Sequence, residues 1–272
     1  MTTAASSAVP NPWLGRRVIA WGHQGGDEGH TPNTIPALRA ALAGGAHALE
    51  FDLHLTADHQ LVLHHDATIQ GPDGSETKIA DKTLADLRVD HPDLATLDEV
   101  LSTFPRVPLT VEIKAAAAAR VAAQALAAED APRAVIVTAF SDSTVKEIKR
   151  AEPALDTAPG MFTMIRFWVL AGLRLQRFAA SLGDQHVALQ SPLRFEEVKY
   201  AKCVPLLKRA HVTTRHFVTA AHQIGLAVHV WTVDEKPEIV DAITMGVDGI
   251  MTNRPTTLAA VLADKGVSWK GS

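Results

Sequence analysis

From residue 17 onward the chain alternates short runs of β-branched and apolar residues with Ala-rich stretches, the rhythm of repeated strand-helix units around a parallel sheet. Strands are predicted at residues 18–23, 47–55, 109–114 and 134–140, a weaker one at 155–158, and further ones at 186–190, 226–233 and 247–252. Helices are predicted between them at 35–43, where Pro36 suits a first turn, at 115–129, where alanines have the highest helix propensity, and at 143–151, 215–224 and 237–245. Gly44, Gly225 and Gly246 each follow a predicted helix and are expected to take the left-handed conformation of a C-terminal cap. Eight alternations in about 250 residues predict an α/β fold, a (β/α)8 TIM barrel.

The rhythm breaks between residues 66 and 98, where GPDGSETK and DHPD carry little strand signal, so a small insertion is expected after the second strand. LVLHH, residues 61–65, follows the polar turn LTADHQ and should pair back on the preceding strand or extend its loop over the barrel mouth. The expected organisation is an N-terminal extension at 1–16, one barrel domain at 17–265 and a C-terminal tail at 266–272.

Composition narrows the function classes. Hydrophobic residues make up 47% of the 272 positions and charged residues 21%, which suits a packed globule and excludes disordered or fibrous chains. A net charge of −4 offers no chain-wide attraction to a polyanion, so nucleic acid is not an expected partner. The single cysteine, Cys203, cannot pair within the chain, and the opening residues lack a basic segment followed by an apolar run, so a cytoplasmic location is expected. No apolar stretch reaches the roughly 18 residues of a membrane span. The nearest approach, residues 161–178, is interrupted by Arg166, Arg174 and Arg177.

In a barrel of this kind the reacting groups stand at the C-terminal ends of strands. His23 ends the first predicted strand, Glu50 and Asp52 lie in the second, His65 and Asp66 close LVLHH, and Glu112 and Lys114 end the third. Gln190 and Trp231 stand at the ends of later strands. Glu50 and Asp52 are two residues apart and project to one face of their strand, while Leu49, Phe51 and Leu53 face the helices. Two carboxylates so placed repel unless neutralised. With Glu112 on the next strand they would offer oxygen ligands to one hard divalent cation, Mg²⁺ or Ca²⁺. On an exposed strand the same E-x-D and E-x-K spacings would be surface charges, but parallel strands are covered on both faces.

His23 and His65 flank the acidic pair in sequence, and an unperturbed imidazole, with a pKa of about 6.5, suits proton transfer near neutrality. A structural hydrogen bond is the competing role for a histidine at a strand end. His54 shares the face of Glu50 and Asp52 and is a candidate to support them, whereas His64 should point opposite to His65.

In order along the chain stand HQGG, TPNT, EFD, TADH, VLHHD, EIK, HVWTVD and GVDGIMTNRP. With these motifs the chain resembles the glycerophosphodiester phosphodiesterases, TIM-barrel enzymes with a divalent metal, from His23 nearly to its end. The resemblance implies hydrolysis of glycerophosphodiesters to sn-glycerol 3-phosphate and an alcohol, with attack by the substrate's own 2-hydroxyl and a cyclic phosphate that water opens. It implies His23 and His65 as the acid/base pair, without saying which begins as base, and Glu50, Asp52 and Glu112 as metal ligands. Lys114 would hold the phosphate, Trp231 would wall the pocket near the glycerol, and Gln190 would line it.

Three positions depart from the family pattern. Gln24 replaces an arginine, so a bidentate phosphate clamp is lost and the amide offers only neutral hydrogen bonds. Pro32 replaces a glutamate, leaving Asn33 and Thr34 to cap the following helix, and Asn253 replaces an aspartate after the last strand.

Residues 161–178 mix Phe162, Met164, Ile165, Phe167, Trp168, Val169 and Leu170 with three arginines. Such a stretch suits the acyl chain of a lysophospholipid or peripheral contact with an anionic membrane. It equally suits a barrel helix with arginines snorkelling outward, or a dimer patch, so the oligomeric state is open. Lysophospholipase D-type cleavage and a non-catalytic binding protein on the same barrel are therefore the alternatives to a small-molecule phosphodiesterase.

Overall fold

The computed structural model describes residues 11–15, 17–26, 29–128, 134–194 and 211–269. Cys203, the expected helix end at Glu129, and the outer parts of the expected extension and tail lie outside the described residues.

The first half comprises β1 (Ile19–His23), α1 (Ile35–Ala43), β2 (Ala48–Leu55), β3 (Leu61–Leu63), β4 (Thr68–Gln70), β5 (Glu76–Lys78), α2 (Leu84–Asp90), α3 (Leu97–Thr103), β6 (Leu109–Ile113) and α4 (Ala119–Ala127). There follow β7 (Val135–Thr138), α5 (Asp142–Ala151), β8 (Asp156–Thr157), α6 (Met161–Gly172), α7 (Ser181–Gln185), β9 (Ala188–Pro192), α8 (Arg215–His222), β10 (Ala227–Trp231), α9 (Lys236–Met245), β11 (Gly249–Thr252) and α10 (Pro255–Asp264).

Eight strands form a nearly closed TIM barrel in the order β8-β7-β6-β2-β1-β11-β10-β9, each pairing parallel with its neighbour. The seam between the two outer strands is bridged where Val187 N donates to Thr157 O at 3.0 Å. Leu49, Phe51 and Leu53 of β2 pack outward with Leu38 and Ala41 of α1, as their alternation requires. Inside, Trp21, Ala48, Ile136, Ala188, Ala227 and Met251 form a separate apolar layer with Trp13 of the N-terminal segment. Trp13 stacks on Trp21 with ring centroids 5.5 Å apart, and Trp21 lies 5.3 Å from His229. Gly249 leaves room for both, since a Cβ there would fall 2.7 Å from Trp21 Nε1 and from His229 Cδ2.

Several local expectations change. Gly44 ends α1 in the right-handed region at φ −75°, and Gly45 takes the positive φ of 98° that turns the chain into β2. Gly225 and Gly246 do adopt positive φ, at 81° and 86°. The weak strand at 155–158 shortens to two residues, and the alanine run begins as a 3-10 turn, Ala116–Ala118, before α4. LVLHH does pair back, with β3 antiparallel to β2 and Leu53 opposite Leu63. Beyond it the insertion is more regular than its polar sequence predicts. It holds the β4-β5 hairpin, and α2 is fastened by a reciprocal cap between Thr83 and Asp86, over a small core of Val62, Ile69, Ile79, Leu87 and Leu94. Among the described residues no helix is long and apolar enough to cross a membrane.

Candidate active site at the barrel mouth

Parallel register brings the charged strand positions together. His23 of β1 lies beside Glu50 of β2, and Asp52 of β2 lies beside Glu112 of β6. One oxygen from each of Glu50, Asp52 and Glu112 falls within 4.8 Å of the others. These three, with His23, His65, Lys114, Gln190 and Trp231, line a cavity of about 660 Å³. Thr138, Phe140, Met161, Ile165, Thr232 and Met251 complete its wall.

The acids are held in an unfavourable state. Glu50 and Asp52 are buried, and burial, followed by the charges of Asp52 and Glu112, pushes the Glu50 carboxyl well above its ordinary pKa. Burial also raises Glu112. Asp52 Oδ2 accepts hydrogen bonds from Gln24 Nε2 at 2.7 Å and Asn33 Nδ2 at 3.1 Å. Its other oxygen, Oδ1, is buried and accepts no hydrogen bond from the described residues, with Lys114 Nζ 3.4 Å away as an ion-pair partner. Lys114 also stands 3.2 Å from Glu112 Oε1. Burial works against its charge, but Glu112 and Asp52 outweigh it and hold the ammonium above its usual pKa. A buried oxygen with no hydrogen bond, inside a cluster of three carboxylates, fits a hard divalent cation with oxygen ligands.

Two turns carry this arrangement. After β1, Gln24 and Asn33 adopt positive φ of 54° and 60°. Gln24 N donates to Glu50 O and, at 3.1 Å, to Glu50 Oε2, and Asn33 N donates to Gln24 O. Gly25, at φ 85°, passes so close to α1 that a Cβ would fall 2.5 Å from the Ala37 carbonyl carbon. Gln24 does not line the cavity, because its amide is directed to Asp52. Asn33 likewise takes a different role from the expected one: Thr34 alone caps α1, accepting from Ala37 N, while Asn33 clamps Asp52 through both its amide and the Asp52 backbone. Pro32 is exposed and outside the cavity wall.

The imidazoles differ. His23 Nδ1 lies 2.7 Å from Asn253 Oδ1, and its Nε2 lies 3.9 Å from Glu50 Oε2. His65 Nδ1 lies 2.9 Å from Asp66 Oδ1, with both side chains more than half exposed. His54 is buried, and its Nε2 lies 3.3 Å from the His65 carbonyl oxygen, so its hydrogen bond is to the backbone of His65 rather than to the Glu50 and Asp52 carboxylates it was expected to support. Asn33 and Phe140 carry no sequence signal of chemistry, whereas Met161 and Ile165 of the apolar wall fall in the stretch 161–178 that the sequence singles out. Only the position of Asn33 within TPNT could have raised it.

Residues 23–257 match the Glycerophosphoryl diester phosphodiesterase family. A glycerophosphodiester phosphodiesterase of Caldanaerobacter subterraneus subsp. tengcongensis is 24% identical, over 89% of this chain and 96% of that protein. Lysophospholipase D GDPD1 of Rattus norvegicus is 23% identical, over 88% of this chain and 84% of that protein. Among solved structures, a glycerophosphodiester phosphodiesterase from Parabacteroides distasonis superposes with a TM-score of 0.66 at 24% identity, over 93% of this chain and all of that one. One from Thermotoga maritima superposes at 0.68 and 20%, over 91% and 100%.

Proposed function

Because the chain belongs to the glycerophosphoryl diester phosphodiesterase family and is a phosphoric diester hydrolase, we propose that His23 and His65 move the protons in its cleavage of glycerophosphodiesters to sn-glycerol 3-phosphate and an alcohol. Glu50, Asp52 and Glu112 hold one divalent cation, Mg²⁺ or Ca²⁺. When bound, that ion supplies Lewis-acid stabilisation of negative charge on the phosphoryl and hydroxyl oxygens. Lys114 offers an ammonium at the cavity wall to the phosphate, and Gln190 and Trp231 bound the space for the glycerol. Gln24 and Asn33 act through Asp52, fixing Oδ2 by hydrogen bonds and leaving Oδ1 to the Lys114 ammonium and the cation.

The observation that carries this reading is the convergence of three acids from two strands with two imidazoles on one cavity. His23→Ala and His65→Ala should each lower turnover of glycerophosphocholine by about a hundredfold with the fold retained, as expected for loss of a proton-transfer group. Loss of less than about threefold in either variant removes that histidine from the role. A cytoplasmic location, resting on the single cysteine, belongs to the same proposal.

A lysophospholipid is a second substrate that α6 favours. Its inner face buries Met164, Phe167 and Ala171, yet its outer face exposes Phe162, Ile165 and Val169, with Leu173 exposed just past its end, and Ile165 also lines the cavity. Residues 161–183 carry three arginines and no acid, so the stripe suits an anionic lipid surface. Vesicles containing phosphatidylglycerol should float with the protein and release it on Phe162→Ser/Leu173→Ser substitution. Absence of co-flotation, together with no cleavage of lysophosphatidylcholine, overturns this reading and leaves the water-soluble diesters.

A further inference from the structure

Behind His23 lies a chain of polar groups that no catalytic role has used. Asn253 follows β11, the neighbour of β1, and Asp234 follows β10 one strand further round, so both stand at the C-terminal ends of their strands. Asp234 Oδ1 accepts from Thr252 Oγ1 at 2.8 Å and from the Asn253 backbone N–H at 2.7 Å. Asp234 Oδ2 accepts from Asn253 Nδ2 at 3.0 Å. Thr252 Oγ1 is itself held by Arg254 N at 3.0 Å. The far end of the Asn253 amide, Oδ1, meets His23 Nδ1 at 2.7 Å.

We infer that Asp234 and Asn253 are positioning residues that fix the ring tautomer of His23, with the proton on Nδ1 and the lone pair of Nε2 on the Glu50 side of the cavity. This inference rests on the reading of His23 as a proton-transfer group. A carboxylate only accepts, so the amide NH2 of Asn253 must face Asp234. Its carbonyl must then face His23, and a carbonyl cannot donate. Nδ1 of the neutral ring therefore carries the hydrogen, and Nε2, on the Glu50 side at 3.9 Å, is the acceptor. The neutral His23 ring meets a substrate able to take a proton at Nε2 and unable to give one. His65 has no such amide: its Nδ1 faces the carboxylate of Asp66, which can accept from either the neutral or the doubly protonated ring.

The family pattern carries aspartate where this chain has Asn253. Here the neutral amide touches the imidazole and the carboxylate stands one contact further back. That exchange makes the inference separable by substitution. In Asp234→Asn the new carbonyl must remain where Thr252 Oγ1 and Asn253 N donate, so the new NH2 faces Asn253. The Asn253 amide must turn over and present its own NH2 to His23, which moves the ring hydrogen to Nε2. In the double variant Asp234→Asn/Asn253→Asp, the carboxylate at position 253 accepts from the new NH2 and from His23 Nδ1, and the original tautomer returns.

The test measures glycerophosphocholine hydrolysis at saturating Mg²⁺ together with imidazole 15N resonances, His23 being assigned by its loss in His23→Gln. The unsubstituted protein should show His23 protonated at Nδ1 in its neutral form. Asp234→Asn should invert the tautomer and lower kcat at least tenfold with KM within about twofold, and the double variant should recover kcat to within about threefold of the parent. An Nε2–H tautomer in the unsubstituted protein overturns the inference even if the variants fail to fold. So does an Asp234→Asn enzyme with kcat within threefold of the parent, or a double variant no faster than the single one. Full activity in His23→Gln is a different failure: it removes His23 from the reaction and leaves the tautomer measurement standing.

Discussion

At the mouth of the barrel, β1, β2 and β6 present His23, Glu50, Asp52 and Glu112 to an open cavity, whereas lower in the same interior β1 and β10 present Trp21 and His229 to each other and to Trp13. Both regions bury titratable groups. At the mouth each carries a partner or faces the space for one: Asn253 at His23, Gln24 and Asn33 at Asp52, Lys114 at two acids. On the floor His229 is wholly buried, neither of its ring nitrogens has a hydrogen-bond partner among the described residues, and burial lowers its pKa to about 4. Charge is thus concentrated where it can act on a ligand, at a cost in stability, and suppressed where aromatic packing closes the barrel.

Glu50→Gln should separate the two regions most sharply. It removes a carboxyl whose raised pKa means that its ionised form opposes folding at neutral pH. With chelator present the melting temperature should stay level or rise, the rise produced by Mg²⁺ or Ca²⁺ should disappear, and turnover should fall by about a hundredfold or more. A lower melting temperature with turnover intact would show that the acids serve the fold rather than the reaction.

Trp21→Ala should do the reverse. Losing a fully buried aromatic ring costs roughly 3–5 kcal/mol, read by denaturant unfolding. Below the lowered transition, kcat should change by less than about threefold, because Trp21 does not line the cavity. A large kcat defect in the folded variant would erase the boundary between floor and mouth.

The smallest effect concerns acid. His229 is neutral when folded, with a pKa of about 4 against the ordinary 6.5, so the unfolded chain binds more protons between those values. Its contribution to stability is present above pH 6.5 and is lost as pH falls toward 4, by up to about 3 kcal/mol. His186 is likewise lowered by burial to about 4 and acts in the same direction, whereas Glu50 and Glu112, held above their ordinary values, act oppositely. The difference between parent and His229→Leu isolates the one group: the variant should show a shallower loss of stability over that window. An unchanged slope would mean that the floor admits a proton without cost.

The outline of this protein was legible in the sequence wherever period two met a known barrel geometry. Leu49, Phe51 and Leu53 alternating with Glu50 and Asp52 specified which side chains face the helices and which face the interior, and E-x-K placed Glu112 on the neighbouring strand. The hairpin inside the insertion was less legible, because Thr68–Gln70 and Glu76–Lys78 are short, polar and paired only with each other. Gly45 rather than Gly44 as the left-handed residue was a matter of one peptide, beyond what a Gly-Gly pair can specify.

Local pattern alone therefore determined the strand-helix repeat, the faces of β2 and the placing of His23, Glu50, Asp52 and Glu112 on barrel strands, since alternation and strand ends are properties of neighbouring residues. Closure of the barrel decided the rest. Asn33 meets Asp52 across 19 residues, and His23 meets Asn253 across 230, because β1 sits between β2 and β11. Hydrogen bonds are short and directional, so which oxygen of Asp52 is held by amides, and which nitrogen of His23 is held, exist only when strands remote in sequence stand side by side.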